Sequence, residues 1–353
     1  MKIIHIVWGL EYGGTETMLV DIVNRQCLEH EVELLIINDK VKQKLIDLVH
    51  PKVRIIRINR PPSSKNPWYI VKLNFIILRS GADIIHSQVD DFIRFYHLHF
   101  LKKNLCLTVH CVHLGYRRIH RYDCVFAITE EVRDSLKKQT GIESIVVHNG
   151  IDTGRFTTKK KIDPEQFQIV QIGRLDHLHK GQHLTLQALH LLVYQYGYTN
   201  IRLDIIGEGR SEKYLQELTD KLKIRQYVRF LGSKTKEYIR ENLSDYDLLV
   251  QPSLWEGFGL TIIEAMSAMT LTLTSNVDGM HTASKNGEMS YTFKSGDTDD
   301  FAQKIDDIIR KPSSEKEMLA AKAHHFALEN FDISTTVNNY LNYYQDVIRK
   351  YSR

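Results

Sequence analysis

The sequence predicts an α/β protein made of two doubly wound parallel sheets in tandem. Its 353 residues are too many for one ordinary core and suit two domains. Short β-branched and apolar runs recur along the chain, and each is followed by a segment with helical periodicity, which is typical of βα units. The series starts again after a polar, charged and Pro-containing segment, 153–165, which we interpret as a linker.

The individual strands follow from these apolar runs, which end in Gly, Ser, His or Pro. The strands predicted in the first half are Ile3–Val7, Val32–Ile37, Val53–Ile56, Ile84–His86, Cys106–Val109, Val125–Ile128 and Ile145–Val147. Those predicted in the second half are Gln168–Ile172, Arg202–Ile206, Val228–Leu231, Leu248–Gln251 and Leu271–Thr274. Near the carboxyl end, apolar residues spaced three and four apart predict a last helix over Ser334–Lys350.

Composition excludes several classes of protein. Apolar residues make up 42% and charged residues 25% of the chain, which excludes a largely disordered, collagen-like or disulfide-scaffold protein. The four cysteines form no CxxC pair and no zinc-ligand spacing, so a reduced compartment is expected. The apolar run at the amino end is short and meets Glu11, which favours a first strand over a signal peptide, and no run approaches a membrane span. We therefore expect a cytoplasmic protein.

The charge is unevenly distributed along the chain. The formal net charge is +4, but residues 1–160 carry 24 basic and 17 acidic side chains, whereas the remainder carries 23 and 26. Basic and aromatic residues in the first half suit an anionic membrane surface, on the inner face of the membrane, or a lipid diphosphate. The alternative is scattered solvated charge; nucleic acid is not expected, because no recognised binding motif is present. The residues concerned are Arg57, Arg60, Lys65, Trp68, Tyr69, Lys102, Lys103, Tyr116, Arg117, Arg118 and Arg121.

Glycines and polar residues follow the predicted strands of the second half. Doubly wound sheets bind ligands at the carboxyl ends of their strands, and glycine allows the backbone to approach a ligand closely. The pattern therefore predicts a ligand crevice along this edge. The segments are Gly173-Arg174, Gly207-Glu208-Gly209, Gly232-Ser233, Pro252-Ser253 and Ser275-Asn276.

The most informative stretch is Pro252-Ser-Leu-Trp-Glu-Gly-Phe-Gly-Leu-Thr-Ile-Ile-Glu-Ala-Met266. A helix is expected to begin near Thr261, with backbone amides and the positive end of its dipole available to a phosphate. Glu256 lies in the loop and Glu264 about one turn into the helix, where carboxylates suit the hydroxyls of a sugar and a ribose. Thr261-x-x-Glu264 also fits a capping box that merely closes the helix, and this alternative stays open here.

This stretch resembles the Glu-x7-Glu signature of the retaining GT-B glycosyltransferases of family 4, the glycosyl transferases group 1. The other matching motifs are Gly13-Gly-Thr-Glu16, His148-Asn-Gly-Ile-Asp152 with Arg155-Phe156, Gly173-Arg-Leu175 with Lys180-Gly181, and Gly207-Glu-Gly209. The resemblance covers essentially the whole chain. It implies two facing Rossmann-like domains with an interdomain cleft: 1–158 for the acceptor and 159–333 for the nucleotide sugar, with 334–353 as a helix that packs back on the first domain.

The resemblance also implies an activity and a set of site residues. A retaining hexosyltransferase would move a sugar from a nucleoside diphosphate, most commonly UDP, to a glycan or polyprenyl-linked acceptor in surface polysaccharide synthesis. Catalytic roles fall on Glu256, His110, Arg174 and Lys180. Donor binding falls on Gly13, Gly14, Gly173, Arg174, Lys180, Gly207, Gly209, Leu231, Gly232, Glu256, Phe258, Gly259, Leu260, Thr261 and Glu264. Acceptor binding falls on His86 and His110.

No metal and no cofactor are expected. Asp245-Tyr-Asp247 formally matches the Asp-x-Asp of metal-dependent transferases, but it precedes the strand Leu248–Gln251 and so lies at the edge opposite to the ligands. Asp297 is expected to cap a helix that begins near Phe301.

Other activities share the architecture, and one segment departs from the family pattern. A sugar-nucleotide epimerase would need no acceptor, a phosphorylase generally has a pyridoxal-phosphate lysine and a much longer chain, and a nucleotide-sugar-binding protein would lack catalysis. In Ser275–His281, where relatives commonly carry a Gly-Gly pair and a glutamate, only Gly279 remains. That part of the donor pocket is therefore not predicted.

Overall fold

The computed structural model describes residues 1–11, 13–98, 104–112, 116, 118–158 and 165–351. The chain forms two compact units. Unit 1 comprises Met1–Asp152 and Ile333–Arg353, and unit 2 comprises Thr153–Asp332. The start of the expected linker belongs to unit 2, because Thr153–Arg155 is a 3₁₀ turn and the amide of Thr157 donates to the carbonyl of Arg240 at 3.0 Å. Residues 159–164 of that linker lie outside the described residues.

Unit 1 contains a seven-stranded parallel sheet with the order β3-β2-β1-β4-β5-β6-β7. Its strands are β1 (Lys2–Val7), β2 (Glu31–Asn38), β3 (Arg54–Arg60), β4 (Ile84–Ser87), β5 (Asn104–Val109), β6 (Cys124–Ala127) and β7 (Ile145–Val146). Its α-helices within Met1–Asp152 are α1 (Gly14–Gln26), α2 (Gln43–Ile46), α3 (Trp68–Ser80) and α4 (Glu130–Thr140). The strand order reverses between β1 and β4, which is where such sheets bind ligands.

Unit 2 contains a six-stranded parallel sheet with the order β10-β9-β8-β11-β12-β13. Its strands are β8 (Phe167–Ile172), β9 (Ile201–Ile206), β10 (Val228–Gly232), β11 (Leu248–Gln251), β12 (Leu271–Ser275) and β13 (Tyr291–Phe293). Its helices are α5 (His177–Lys180), α6 (Gln182–Tyr194), α7 (Glu212–Lys221), α8 (Lys236–Asn242), α9 (Leu260–Ser267), α10 (His281–Ser284), α11 (Thr298–Arg310) and α12 (Ser313–Phe331). The order reverses between β8 and β11.

The predicted pair of parallel sheets is confirmed, and each predicted strand is present, with ends that differ by up to four residues. The central strands are buried on both faces, as parallel sheets covered by helices require; Ile3, Ile4 and Ile6 of β1 have no exposed surface. The edge strand β13 was not predicted, because a three-residue segment is too short to show a periodicity.

The last helix, α13 (Ile333–Tyr351), packs into the core of unit 1. Its apolar residues Val337, Tyr340, Tyr344 and Val347 join a buried cluster that includes Phe126 of β6. The helix forms because apolar positions recur on one face at helical spacing. That face is buried against the sheet.

Candidate functional site

Two charged residues meet where the strand order of unit 2 reverses. Lys180 ends α5, which follows β8, and Glu256 lies in the loop after β11. Lys180 Nζ is 2.6 Å from Glu256 Oε2, and the two side chains are 24% and 14% exposed. Sequence reasoning selected both residues, and the structure brings them into contact at the carboxyl edge of the sheet.

The carboxylate of Glu256 is held in place by several donors. Gln251 Nε2 and Ser253 Oγ each donate to Oε2 at 3.2 Å, and the amide of Gly257 lies 3.2 Å from Oε1. Gln251 was not predicted as a site residue, although its place as a buried amide at the last position of β11 was the available signal. These contacts fix the direction in which the carboxylate points.

A close approach between two loops positions Lys180. Gly181 has φ +64, and a Cβ at this position would overlap the carbonyl oxygen of Pro252. The amide of Leu254 donates to the carbonyl of His179 at 2.8 Å, which ties the same loops together. Because only glycine combines this φ with the missing Cβ, Gly181 is required for the contact between Lys180 and its partner.

Helix α9 begins beside this ion pair. Its N-cap is Gly259, with φ +82 and no side-chain cap, so the capping-box alternative is wrong. Thr261 lies inside the helix instead, and its Oγ1 donates to Gln251 Oε1 at 3.3 Å. The first amides of the helix, at Leu260 and Thr261, point towards the amino end, where a helix attracts anions. Glu264 follows one turn later and is half-buried.

The loop that carries Glu256 is supported from behind. Phe258 is buried, and its ring packs edge-on against Phe331 at 5.7 Å between centroids. A Cβ on Gly279 would overlap the carbonyl oxygen of Glu256. The single glycine left in the segment that departs from the family pattern therefore lies directly against the predicted site.

The other predicted donor residues of unit 2 lie at the same edge of the sheet. Gly207, with φ +142, approaches the carbonyl of Gly173 so closely that a Cβ would overlap it. Gly209 approaches the carbonyl of Leu175, and a Cβ there would overlap that carbonyl. The side chain of Arg174 is exposed. The end of β10 includes two more predicted residues, Leu231 and Gly232.

In unit 1, the paired glycines lie at the start of α1. Gly13 is the N-cap and Gly14 the first residue of the helix; Gly13 has no side chain to cap the helix, and its carbonyl accepts a hydrogen bond from Thr17 Oγ1 at 2.9 Å. A Cβ on Gly13 would overlap the carboxylate of Glu16. Burial raises the pKa of Glu16, and the nearby Glu11 adds to this effect. The glycine thus makes room for a carboxyl group at the start of the helix.

His110 follows β5 and contacts the residue that follows β4. Its Nε2 lies 2.9 Å from Gln88 Oε1, so a proton on Nε2 donates to the amide oxygen. Burial lowers the pKa of His110 to about 4, which keeps the ring neutral at pH 7. Its Nδ1 has no hydrogen-bond partner among the described residues.

His86 lies in the core and not at an acceptor surface. Its side chain has no exposed area, its Nδ1 is hydrogen-bonded to the hydroxyl of Tyr344 of α13, and its Nε2 lies 2.7 Å from Thr108 Oγ1. Because both ring nitrogens are satisfied inside the protein, the expected contact between His86 and an acceptor is not retained.

Asp247 and Asp297, the two acidic residues tested as alternatives to a metal site, have structural roles. Asp247 Oδ2 accepts from the amide of Gln168 at 2.7 Å, at the amino end of β8, and Asp297 caps α11, which begins three residues before the predicted start. Across the part of the chain that the structure describes, no group of three or more His, Cys, Asp or Glu side chains is arranged to hold a metal. Of the basic residues singled out above, Lys102, Lys103 and Arg117 lie outside the described residues.

Comparisons with known proteins match both halves of the chain. The model of Glycosyltransferase Family 4 matches residues 12–155, and that of Glycosyl transferases group 1 matches residues 152–325. Glycogen synthase of Mycobacterium tuberculosis is 26% identical over 62% of this chain and 52% of that protein, and D-inositol 3-phosphate glycosyltransferase of Rhodococcus jostii is 28% identical over 63% and 52%. The chain thus spans about half the length of the curated relatives it matches. The structure of Anabaena HepE in complex with UDP and glucose superposes with a TM-score of 0.81, at 18% identity over 98% of this chain and 100% of that chain, and the fold is therefore GT-B.

Proposed function

Because this chain belongs to the glycosyl transferases group 1, we propose that it transfers a sugar from a nucleoside diphosphate to an acceptor with retention of configuration and without a metal. The observation that carries the proposal is the contact between Lys180 and Glu256 beside the first turn of α9. A nucleotide sugar presents an anionic diphosphate and a hydroxylated ring joined by one oxygen. A cation and a carboxylate 2.6 Å apart suit the two sides of that bond.

Lys180 and Arg174 are proposed to stabilise the leaving group. As the glycosidic bond breaks, negative charge grows on the diphosphate, and fixed cations lower the energy of that state more than the energy of the intact donor. Both residues follow β8, and the side chain of Arg174 is exposed, so it is accessible to the diphosphate of a donor. The backbone amides of Leu260 and Thr261 are proposed to bind the distal phosphate.

Glu256 is proposed to bind hydroxyls of the transferred sugar, and Glu264 those of the ribose. Three donors meet Glu256 Oε2, whereas Oε1 accepts from the amide of Gly257 and keeps a lone pair for a hydroxyl group, which is the chemistry that a carboxylate offers a sugar. In a same-face transfer, the departing diphosphate oxygen accepts the proton of the acceptor hydroxyl, and the sugar passes through an oxocarbenium-like state. A role of Gly13 and Gly14 in donor binding and a catalytic role of the neutral ring of His110 are proposed on the strength of the family resemblance.

The donor is proposed to be a UDP-sugar. The structure that this chain resembles in fold, HepE of Anabaena, has been solved with UDP and glucose and with UDP-glucose. Transfer to a glycan or lipid-linked acceptor in polysaccharide synthesis is proposed on the strength of the family resemblance.

The test is nucleotide release from a panel of UDP- and GDP-sugars, with and without polyprenyl-linked acceptors. Release of nucleotide that requires acceptor supports transfer, and NMR of the product anomer tests retention. Conversion of the donor to a second nucleotide sugar without acceptor would indicate an epimerase instead. Binding with neither reaction would indicate a non-catalytic protein. Activity that survives EDTA supports a metal-independent reaction.

Association with an anionic membrane surface is proposed for unit 1, and α3 supports it. Four large apolar side chains of this helix are exposed: Trp68 by 67%, Val71 by 52%, Phe75 by 51% and Leu78 by 46%. At about 100° per residue they lie within about 80° of one another around the helix. The helix has no acidic residue, and its two basic residues, Lys72 and Arg79, lie beside this face, both within about 40° of its Trp68 edge. Such a face suits the boundary between anionic headgroups and acyl chains.

Vesicle flotation tests this surface. The protein should float with vesicles that contain phosphatidylglycerol and not with pure phosphatidylcholine, and Phe75→Ser should reduce flotation several-fold. Met318→Ser is the matched control, because Met318 is 70% exposed in unit 2. Absence of flotation in the wild-type protein would refute membrane association without bearing on transfer. No helix in the described part of the chain is long and apolar enough to cross a membrane.

A further inference from the structure

A second concave site lies in unit 1, at the carboxyl edge of its sheet. It is a cavity of about 370 Å³ at the ends of neighbouring strands: Trp8 follows β1, Asn38 ends β2 and Arg60 ends β3. The segment after β4 closes its other side. The complete lining is Trp8, Asn38, Arg60, Pro62, Ser63, Asp91, Arg94 and Phe95. Because β1 and β4 are the strands between which the order reverses, this is where the topology favours a ligand.

Arg60 supplies a positive charge whose partners are neutral. One guanidinium nitrogen donates to Asn38 Oδ1 at 3.3 Å and another to the carbonyl of Ser64 at 2.6 Å. The guanidinium lies 5.7 Å from the centre of the Phe95 ring. Within the described ranges, no carboxylate lies within the 4.0 Å of an ion pair with Arg60. The side chain is therefore held in one position, and its charge is available to an anion.

Aromatic rings form another part of the wall. Trp8 and Phe95 meet edge to face, with 5.3 Å between their centroids. The apolar face of a sugar ring packs well on aromatic side chains, which combine a large contact area with few rotatable bonds. Arg94 and Asp91 form an exposed ion pair at 3.1 Å, which offers both donors and acceptors to hydroxyl groups.

We propose that this cavity binds the acceptor, and that the acceptor presents a sugar ring with an anionic group, a phosphate or a carboxylate, to Arg60. The identification as an acceptor rests on the proposed transfer, whereas the choice of an anionic sugar rests on the cavity itself. A volume of about 370 Å³ is at the small end of ligand pockets, so it suits one substituted sugar unit and not an extended glycan.

The test measures binding of simple probes by ligand-observed NMR in the presence of saturating UDP. The probes are glucose 6-phosphate, glucuronate and neutral methyl glucoside, and the first two distinguish a phosphate from a carboxylate. We expect at least one anionic probe to bind tenfold or more tightly than the neutral one, and Arg60→Gln to abolish this preference. Arg57→Gln is the matched control, because Arg57 is an exposed arginine of the same strand that does not line the cavity.

Three results would overturn the proposal: equal affinity for neutral and anionic probes, an equal loss in the Arg57→Gln variant, or retention of the preference in Arg60→Gln. Lys180→Ala separates this site from the donor site, since the anionic preference should survive that substitution. If the preference is present but no nucleotide sugar is turned over, the proposed transfer fails while the anionic-sugar site remains. If turnover is present without the preference, only the inference about the cavity fails.

Discussion

Replacement of Lys180 by Ala should reduce transfer far more than it reduces stability. The substitution removes a cation 2.6 Å from Glu256 Oε2 but leaves the Gln251 and Ser253 donors on the carboxylate. The two charged side chains are 24% and 14% exposed, so their pair lies between a surface pair, worth about 0–1 kcal/mol, and a buried one, whose disruption costs about 3–5 kcal/mol. We expect a loss of about 1–2 kcal/mol in the free energy of unfolding, which lowers Tm by about 2–8 °C for a unit of this size.

The effect on the reaction has a different origin and a larger size. A preorganised group that stabilises charge in the transition state is worth about 10²–10³-fold in rate. In Lys180→Ala, kcat for acceptor-dependent release of nucleotide should fall by about that factor at a temperature well below Tm. Lys311→Ala is the control, because it removes an exposed ion pair with Glu315 in the same unit, and it should leave kcat unchanged. A Lys180→Ala enzyme with a normal kcat and a normal Tm would refute the role given to this residue.

Three further predictions concern packing and pH. Gly279→Ala should destabilise unit 2 by about 1–3 kcal/mol and reduce transfer, because the new Cβ would overlap the carbonyl oxygen of Glu256; thermal unfolding and nucleotide release measure the two effects. Tyr344→Phe should lower the free energy of unfolding by about 1–3 kcal/mol in urea titration, because it leaves a buried nitrogen of His86 without its partner. Burial lowers the pKa of His5 to about 4 and that of His86 well below its ordinary value. The unfolded chain therefore binds protons below about pH 6.5 that the folded state excludes, so the free energy of unfolding should fall from about pH 6.5 towards pH 4. Tm measured against pH tests this.

Each of these predictions has a clear contrary outcome. Normal Tm and normal turnover in Gly279→Ala would mean that the loop of Glu256 does not depend on this contact. An unchanged urea midpoint in Tyr344→Phe would show that the hydrogen bond between Tyr344 and His86 adds nothing to stability. A Tm that stays constant between pH 7 and pH 5 would contradict the role of the buried histidines. So would a Tm that falls as much with pH in His5→Leu as in the wild-type protein. His120, which is exposed, is the control position for a histidine substitution.

The fold could be predicted from the sequence because the signal is local. In β1 and β2, continuous β-branched runs predict strands buried on both faces, and the same holds in the second half. The last helix followed from the spacing of Val337, Tyr340 and Tyr344. The short edge strand β13 was missed because three residues show no period, and the end of β3 was misplaced because Arg57 and Arg60 interrupt its apolar run.

The candidate site was predictable only in part. Strand ends and motif order each indicated that Lys180 and Glu256 belong to the donor site, but they did not indicate that the two side chains touch. Their contact depends on two loops from different parts of the chain, and on a glycine, Gly181, whose missing Cβ allows the loops to touch. No local pattern indicates which side chain will support another from across the sheet. Gln251 and Gly279 were therefore not recognised as supports for Glu256.

What the sequence by itself determined is thus the class of fold and the residue types that stand at the carboxyl ends of the strands, because apolar periodicity and strand-end chemistry are properties of neighbouring residues. Tertiary structure alone decided the rest. It buried His86 beneath α13, replaced the capping box with a glycine cap, and assembled a basic aromatic cavity around Arg60 from the ends of separate strands. Each of these depends on contacts between residues far apart in the chain, which follow from the packing of whole elements.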